Sequence, residues 1–265
     1  MVPDAPLWLI PLTALVAGAL TLFSGFGLNT LLLPVLLLFY PPQVAVLLTA
    51  CVHLLNNVFK SALVGGHIRW AVVLRFGLPA VGAAYLGAYT LGALARTDTL
   101  AYRMAWPGGH VAEVSWLTVV FATLVALFAV WDLVPALSKL SVPARYLPVG
   151  GLLSGFFGGL TGHQGALRSA FLLRLGLPPL AYVASGIAIA LGIDLVRIGH
   201  YLYAQGTGAF SALPVTWTVA TVLAAFTGSY LGSRLVRKTT VKHLQRLVGG
   251  LLIALSLAML LGLVR

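Results

Sequence analysis

The sequence predicts an all-α polytopic membrane protein of two repeats, and three observations carry the prediction. Of 265 residues, 60% are hydrophobic and only 8% charged. No charged residue stands between Asp4 and Lys60. As a single helix that run would extend about 80 Å, against a bilayer core of about 30 Å, so it folds back on itself within the membrane. Finally, a glycine-containing break inside an apolar segment occurs twice, each time followed by Pro-Pro and a helix with a polar face.

The first apolar block, Leu7 to Tyr40, is interrupted by "SGFGLNT" from Ser24 to Thr30. The piece after the break, Leu28 to Tyr40, is too short to span upright, and Pro41-Pro42 ends it because proline does not continue a helix from within. The second segment, Val44 to Val64, carries His53, Asn56, Asn57 and Lys60 at helical spacing, so one face is polar. A third segment covers Phe76 to Ala95 and a fourth Trp116 to Val134.

The pattern then returns. In "GGLLSGFFGGLTGHQGALRSAFLLRLGLPP", Gly150 to Pro179, glycines again interrupt an apolar helix, and His163, Gln164 and Arg168 follow at once. Glycine in a helix interior costs about 1 kcal/mol relative to alanine. An arginine at mid-bilayer costs roughly 2.5 to 3.5 kcal/mol even on the lenient insertion scale. Placing Pro178-Pro179 on Pro41-Pro42 puts Thr161 on Ser24, Gly162 on Gly25, Asp194 on Asn57 and Arg197 on Lys60. Further on, "AYLG" at 84–87 matches "SYLG" at 229–232. The halves are therefore read as 1–137 and 138–265, each a broken or re-entrant first helix followed by three transmembrane helices.

Loop charge orients them. Lys60, Arg69 and Arg75 surround one connection, Lys139 and Arg145 lie between the halves, and Arg234, Arg237, Lys238, Lys242 and Arg246 surround the last. In the Arg96–Ser115 connection Arg96 and Arg103 are offset by Asp98 and Glu113, and Tyr203 to Leu213 carries no charge. All three basic connections fall on the cytoplasmic side only if each half makes an odd number of net crossings, which predicts an inverted repeat. Re-entrant hairpins and pairs of short spans give the same parity.

The net charge of +11 follows this loop pattern, with no soluble basic domain and no nucleic-acid motif, so nucleic acid is not expected as a partner. The single cysteine, Cys51, excludes an intramolecular disulfide. GxSxG, HExxH and P-loop motifs are absent, so no catalytic residues are assigned. His163 has no second histidine at ligand spacing, and neither a metal nor another cofactor is expected.

A half-helix that starts at mid-membrane presents unpaired N–H groups and the positive end of its dipole, and two such starts facing each other form an anion site. This reading assigns Ser24, Asn29 and Thr30 to one break and Thr161, His163, Gln164 and Arg168 to the other. Asn57, Lys60 and Arg197 join them from the following helices. The competing reading is a packing kink at each break. Gln164 and Arg168 share a helix face, and the Arg168 fork suits carboxylate, sulfonate or sulfite oxygens; pairing with Asp194 or Asp132 is its alternative. Asp194 and Arg197, three apart, form either a local ion pair or a proton acceptor beside an anion-attracting cation. Lys60 either binds or snorkels to the cytoplasmic surface. His53 and Asn56 read as helix–helix hydrogen-bonding groups. His163 reads as a proton carrier, a donor to substrate or a satisfied core residue. With Phe26 and Asn57 opposite His163 and Asp194, the expected proton-coupling groups, His163 and Asp194, both belong to the second half.

"SGFGLNTLLLPVLLL" and "GFFGGLTGHQGALRSAFLL", each followed by Pro-Pro and a polar-faced helix, resemble the sulfite exporter TauE/SafE family of bacterial anion permeases. The first departs from the usual glycine triplet, with Leu28-Asn29 where glycines are common. The resemblance implies a secondary transporter in the bacterial cytoplasmic (inner) membrane, moving sulfite, an organosulfonate or a related carboxylate by alternating access with protons as the coupling ion. Its expected partners are a small anionic substrate, protons and the lipid bilayer, with a homodimer compatible. An anion channel and an intramembrane enzyme are the alternatives.

Overall fold

Apolar blocks of this length satisfy their backbone groups in lipid as helices, and in the computed structural model the chain is mostly helical. The structure describes residues 6–24, 28–109, 111–134, 137, 142–205, 215–235 and 241–264. The first block is two helices, α1 (Leu9–Ser24) and α2 (Leu28–Leu37). Helix α3 (Pro42–Val64) starts on Pro42, whose missing N–H would have had no helical partner there. Helix α4 (Trp70–Arg96) begins earlier than the expected Phe76. It widens into a π-turn over Val73–Gly77, directly before Pro79, where a regular ladder would lose a hydrogen bond and meet the proline ring.

Helix α5 (Trp116–Leu133) is capped twice: Asp98 Oδ1 accepts from the Leu117 N–H at 3.0 Å, and Ser115 Oγ accepts from the Thr118 N–H at 3.2 Å. Helices α6 (Leu147–Thr161) and α7 (Gly165–Leu172) form the second broken pair. They are followed by α8 (Pro179–Gln205), α9 (Val215–Leu235) and α10 (Val241–Leu260). Among the described residues five helices, α3, α4, α5, α8 and α9, are long and apolar enough to cross a membrane, and α1, α2 and part of α10 are shorter apolar helices.

The all-α expectation needs one correction. Within the Arg96–Ser115 connection, β1 (Leu100–Ala105) and β2 (Val111–Ser115) pair antiparallel, with Arg103 opposite Glu113. Their exposed ion pair, 2.9 Å from Arg103 NH2 to Glu113 Oε1, is worth about 0–1 kcal/mol. What ties the hairpin down is its contact with the end of α10. The Tyr102 hydroxyl donates to the Leu260 carbonyl, and Trp106 Nε1 donates to the Leu261 carbonyl at 3.2 Å.

The main packing partners are α1 with α9, α4 with α6, α3 with α8, and α5 with α10. Two of these contacts are made by small residues four apart. In α9, Gly228 and Gly232 lie against the carbonyls of Leu15 and Ala19 on α1. In α6, Gly155 and Gly159 lie against the carbonyls of Ala80 and Ala84 on α4. A Cβ at any of these glycines would run into the opposing backbone.

The connections expected to contrast in charge, Tyr203–Leu213 and Val236–Gln245, fall largely on residues 206–214 and 236–240, outside the described ones. Lys60, counted above with the first basic connection, is instead buried, 5% exposed, because its side chain turns inward along α3.

Candidate functional site

The break between α6 and α7 is shaped by Gly162, whose φ of +82° is a left-handed conformation that residues with a Cβ rarely adopt. A helix end leaves carbonyls without intrahelical partners, and here α8 supplies them. The Gly158 carbonyl accepts from the Gly162 N–H at 3.0 Å and from Arg197 NH1 at 3.2 Å, and the Gly159 carbonyl accepts from the Tyr201 hydroxyl at 2.5 Å. Arg197 thus brings its charge to the negative end of the α6 dipole. On the far side of the break, Ser154 Oγ donates to the Gln164 carbonyl at 2.9 Å, and that carbonyl opens the α7 ladder by accepting the Arg168 N–H at 3.1 Å. The N–H groups of the first turn of α7 precede that bond and have no partner within the helix.

The first break meets the second. Asn29, buried on the first turn of α2, donates through Nδ2 to the Gly162 carbonyl at 3.3 Å, while its Oδ1 has no partner among the described residues. A Cβ on Gly162 would stand 3.1 Å from Arg197 NH1 and 3.4 Å from Asn29 Nδ2, so glycine is also required for this close approach.

The charged centre lies between α3 and α8. Asp194 and Arg197 are both fully buried. Arg197 donates through Nε to Asp194 Oδ1 at 3.0 Å, with NH2 2.7 Å from the same oxygen. The other carboxylate oxygen, Oδ2, is 2.6 Å from His53 Nδ1 on α3, and Gln164 Nε2 donates to Oδ1 at 3.5 Å. Gln164 Oε1 accepts from Arg168 NH1 at 3.5 Å. A continuous polar chain therefore runs from α3 through α8 to α7. A buried ion pair gains stability only when its remaining hydrogen-bonding capacity is filled; removing one member costs about 3–5 kcal/mol.

Of the residues expected at the site, His163 and Gln164 lie in the break between α6 and α7, and Asn57, Lys60, Thr161, Arg168, Asp194 and Arg197 lie on the helices around the breaks. Thr161 is fully buried and bonds back to the Phe157 carbonyl at 3.1 Å. His163 Nδ1 is 3.3 Å from Thr161 Oγ1, its ring stacks on Phe128 of α5 at 5.3 Å, and its Nε2 has no partner among the described residues. Asn57 Nδ2 is 3.2 Å from both ring nitrogens of His53. With the Asn56 amide turned so that its oxygen faces Lys60, Lys60 Nζ donates to it at 3.2 Å. The cation is thus held by its own helix rather than snorkelling.

Arg168 forms no ion pair with Asp194 or Asp132 among the described residues, and its guanidinium lies against Gly186, where a Cβ would be 3.3 Å from Nε. Thr30 is buried on α2. Ser24 ends α1, and its side chain lies outside the described residues.

Sequence reasoning placed His53 on the polar face of α3 but outside the site, and it placed both titratable groups in the second half. The structure adds the partner: His53, from the first half, makes the helix–helix hydrogen bond expected of it, and makes it to Asp194. Periodicity gives a residue's face and not its partner across the interface. Tyr201 and Phe128 were missed for the same reason; Tyr201 stands four residues after Arg197, and that spacing is the signal that places it on the same face.

Membrane-length helices around a buried break lined with polar groups define a multi-pass membrane protein with a polar centre. The chain matches the model of the family "Sulfite exporter TauE/SafE" over residues 10–259. It belongs to that family, a family of membrane transporters. A comparison with curated proteins finds no match, and neither does one with solved structures.

Proposed function

We propose that the protein is a secondary transporter that moves a small anion, of the sulfite, organosulfonate or carboxylate type, across the bacterial cytoplasmic membrane. It works by alternating access between two inverted repeats, 1–137 and 138–265, with protons as the coupling ion. The observation that carries this reading is the meeting of the two breaks at the Asn29–Gly162 hydrogen bond, beside cationic groups from α3, α7 and α8, of which Lys60 and Arg197 are buried and Arg168 half-buried. Support for the repeats comes from the helix boundaries. Ser24 and Thr161 end the first helices, Leu28 and Gly165 begin the second, and Pro42 and Pro179 begin the third, at the same separation each time. Helix pairing points the same way, since exchanging the halves turns the α1–α9 contact into the α6–α4 contact and maps α3–α8 and α5–α10 onto themselves.

Within this reading the cations have different tasks. Arg197 is held by Asp194 and caps α6, so its charge is neutralised within the protein. Arg168 is assigned to balance the anion through a planar fork that matches two oxygens, and Lys60 adds its charge to the same region. Asn29, Thr30, Asn57, Thr161, Gln164 and the first turn of α7 supply hydrogen bonds. Ser24 is assigned the same role at the first break by its position opposite Thr161. Protons enter at the Asp194 network, with His163 the other titratable group of the break.

Flux of sulfite into proteoliposomes under an imposed pH gradient tests the reading. A transporter gives saturable flux that reverses its response when the gradient is reversed; flux that neither saturates nor responds identifies a channel.

A further inference from the structure

We infer that His53, not Asp194 or His163, is the atomic seat of the coupling proton, bound at Nε2 while Asp194 serves as its fixed counter-ion. The inference rests on the transport reading above and deepens it.

The hydrogen bonds assign the ring's resting state. Asp194 Oδ2 accepts from His53 at 2.6 Å, which places a proton on Nδ1. Asn57 Nδ2 lies 3.2 Å from both ring nitrogens and selects neither. With the Asp194 contact holding the proton on Nδ1, the free lone pair is at Nε2, which is the neutral Nδ1–H tautomer. In this state the centre holds Asp194 and Arg197 as a neutral pair. Asp194 has donors on both oxygens, from His53 on one and from Arg197 and Gln164 on the other, and each of these holds it as a carboxylate.

A proton arriving at Nε2 adds one positive charge to that centre and forms a new N–H. Nothing is oxidised or reduced; hydronium delivers the proton to the Nε2 lone pair and leaves as water. The Asn57 amide must then turn to present its oxygen. The charges acting on His53 from the elements around it are Asp194 and Arg197 of α8 and Lys60 of α3. Burial and the two cations oppose the incoming proton, Asp194 favours it, and a bound anion adds a second favourable charge. Proton and anion therefore assist each other's binding, and by linkage each raises the other's affinity by the same factor. His163 lacks this arrangement: it contacts Thr161 and the Phe128 ring, and the charge that reaches it, Arg197, is a cation that opposes the proton. His53 also sits between helices of the two proposed repeats, so its protonation acts on the interface that alternating access must rearrange.

The experiment is a nitrogen NMR titration of the full chain in lipid bilayers, with labelled histidine and the His53 signals assigned by their loss in His53→Gln. Glutamine keeps a donor for Asp194 and removes the proton site. From mildly alkaline to acid pH, Nδ1 should stay protonated and Nε2 should gain its proton. Added methanesulfonate, a probe that stays ionised throughout, should move the midpoint upward, with about a tenfold gain in anion affinity per pH unit of movement. An Nε2 that never titrates, or whose midpoint ignores the probe, overturns the assignment. In proteoliposomes, His53→Gln should carry methanesulfonate, whose charge does not change with pH, without responding to the pH gradient. A retained response in the variant overturns the assignment and leaves the transport reading intact. A wild-type protein that moves methanesulfonate without any response overturns proton coupling itself.

Discussion

Helices α3 and α8 occupy matching places in the chain and face each other, yet they are charged differently. Where α8 carries Asp194 and Arg197, α3 carries Asn57 and Lys60 at the aligned positions, and it places His53 one turn earlier. The first helix holds a neutral amide and a cation bonded to its own Asn56; the second holds an ion pair that also caps a broken helix. On the proposed repeat, the two halves supply similar faces, and the residues that differ on one of them turn a symmetric frame into an asymmetric charge arrangement. The contact between His53 and Asp194 is where the asymmetry becomes chemistry, since neither half contains both members.

Removing the acid should break the comparison most severely. Asp194→Ala leaves Arg197 buried without its counter-charge, and a loss of about 3–5 kcal/mol is expected. Thermal unfolding in detergent, followed by intrinsic fluorescence, should show a large drop in midpoint. The aligned substitution Asn57→Ala removes a hydrogen bond to a neutral ring and should cost about 1 kcal/mol, with a correspondingly small drop. Equal losses in the two variants would show that Asp194 and Arg197 do not form the framework pair described above.

Much of this was legible before the structure. The breaks, the proline pairs and the polar faces recur at matching spacing because helix ends in lipid depend on a few local residue types, and those types are visible in sequence. The Asp194–Arg197 pair was one of two stated alternatives and is the contact formed. The partner of Asp194 was not legible. His53 stands far from Asp194 in sequence, and helical periodicity says which face it occupies but not which helix covers that face. The hairpin was missed although its signal is present: residues 100–105 and 111–115 flank Pro107-Gly108-Gly109, a turn sequence between two short runs suited to strands. The two glycines take φ of 95° and 82°, and that left-handed backbone is what closes the turn. The charges of this connection drew attention to topology rather than to pairing. Lys60 was read as a loop charge because it lies near a helix end, and its inward turn toward Asn56 depends on a contact that spacing alone does not show.

The two arginines of the second half give the most direct test. Arg197 is bound into the framework by Asp194 and by the Gly158 carbonyl, while Arg168 contacts Gln164 and meets no carboxylate among the described residues. On the proposed function the anion therefore binds at Arg168. The decisive measurement is the dissociation constant for sulfite of the wild-type protein and of Arg168→Lys, with thermal midpoints recorded on the same samples. Lysine keeps the charge and loses the fork, so binding should weaken roughly tenfold or more, about 1.4 kcal/mol, with little change in midpoint. An unchanged dissociation constant in Arg168→Lys would contradict the assignment of the anion to this guanidinium.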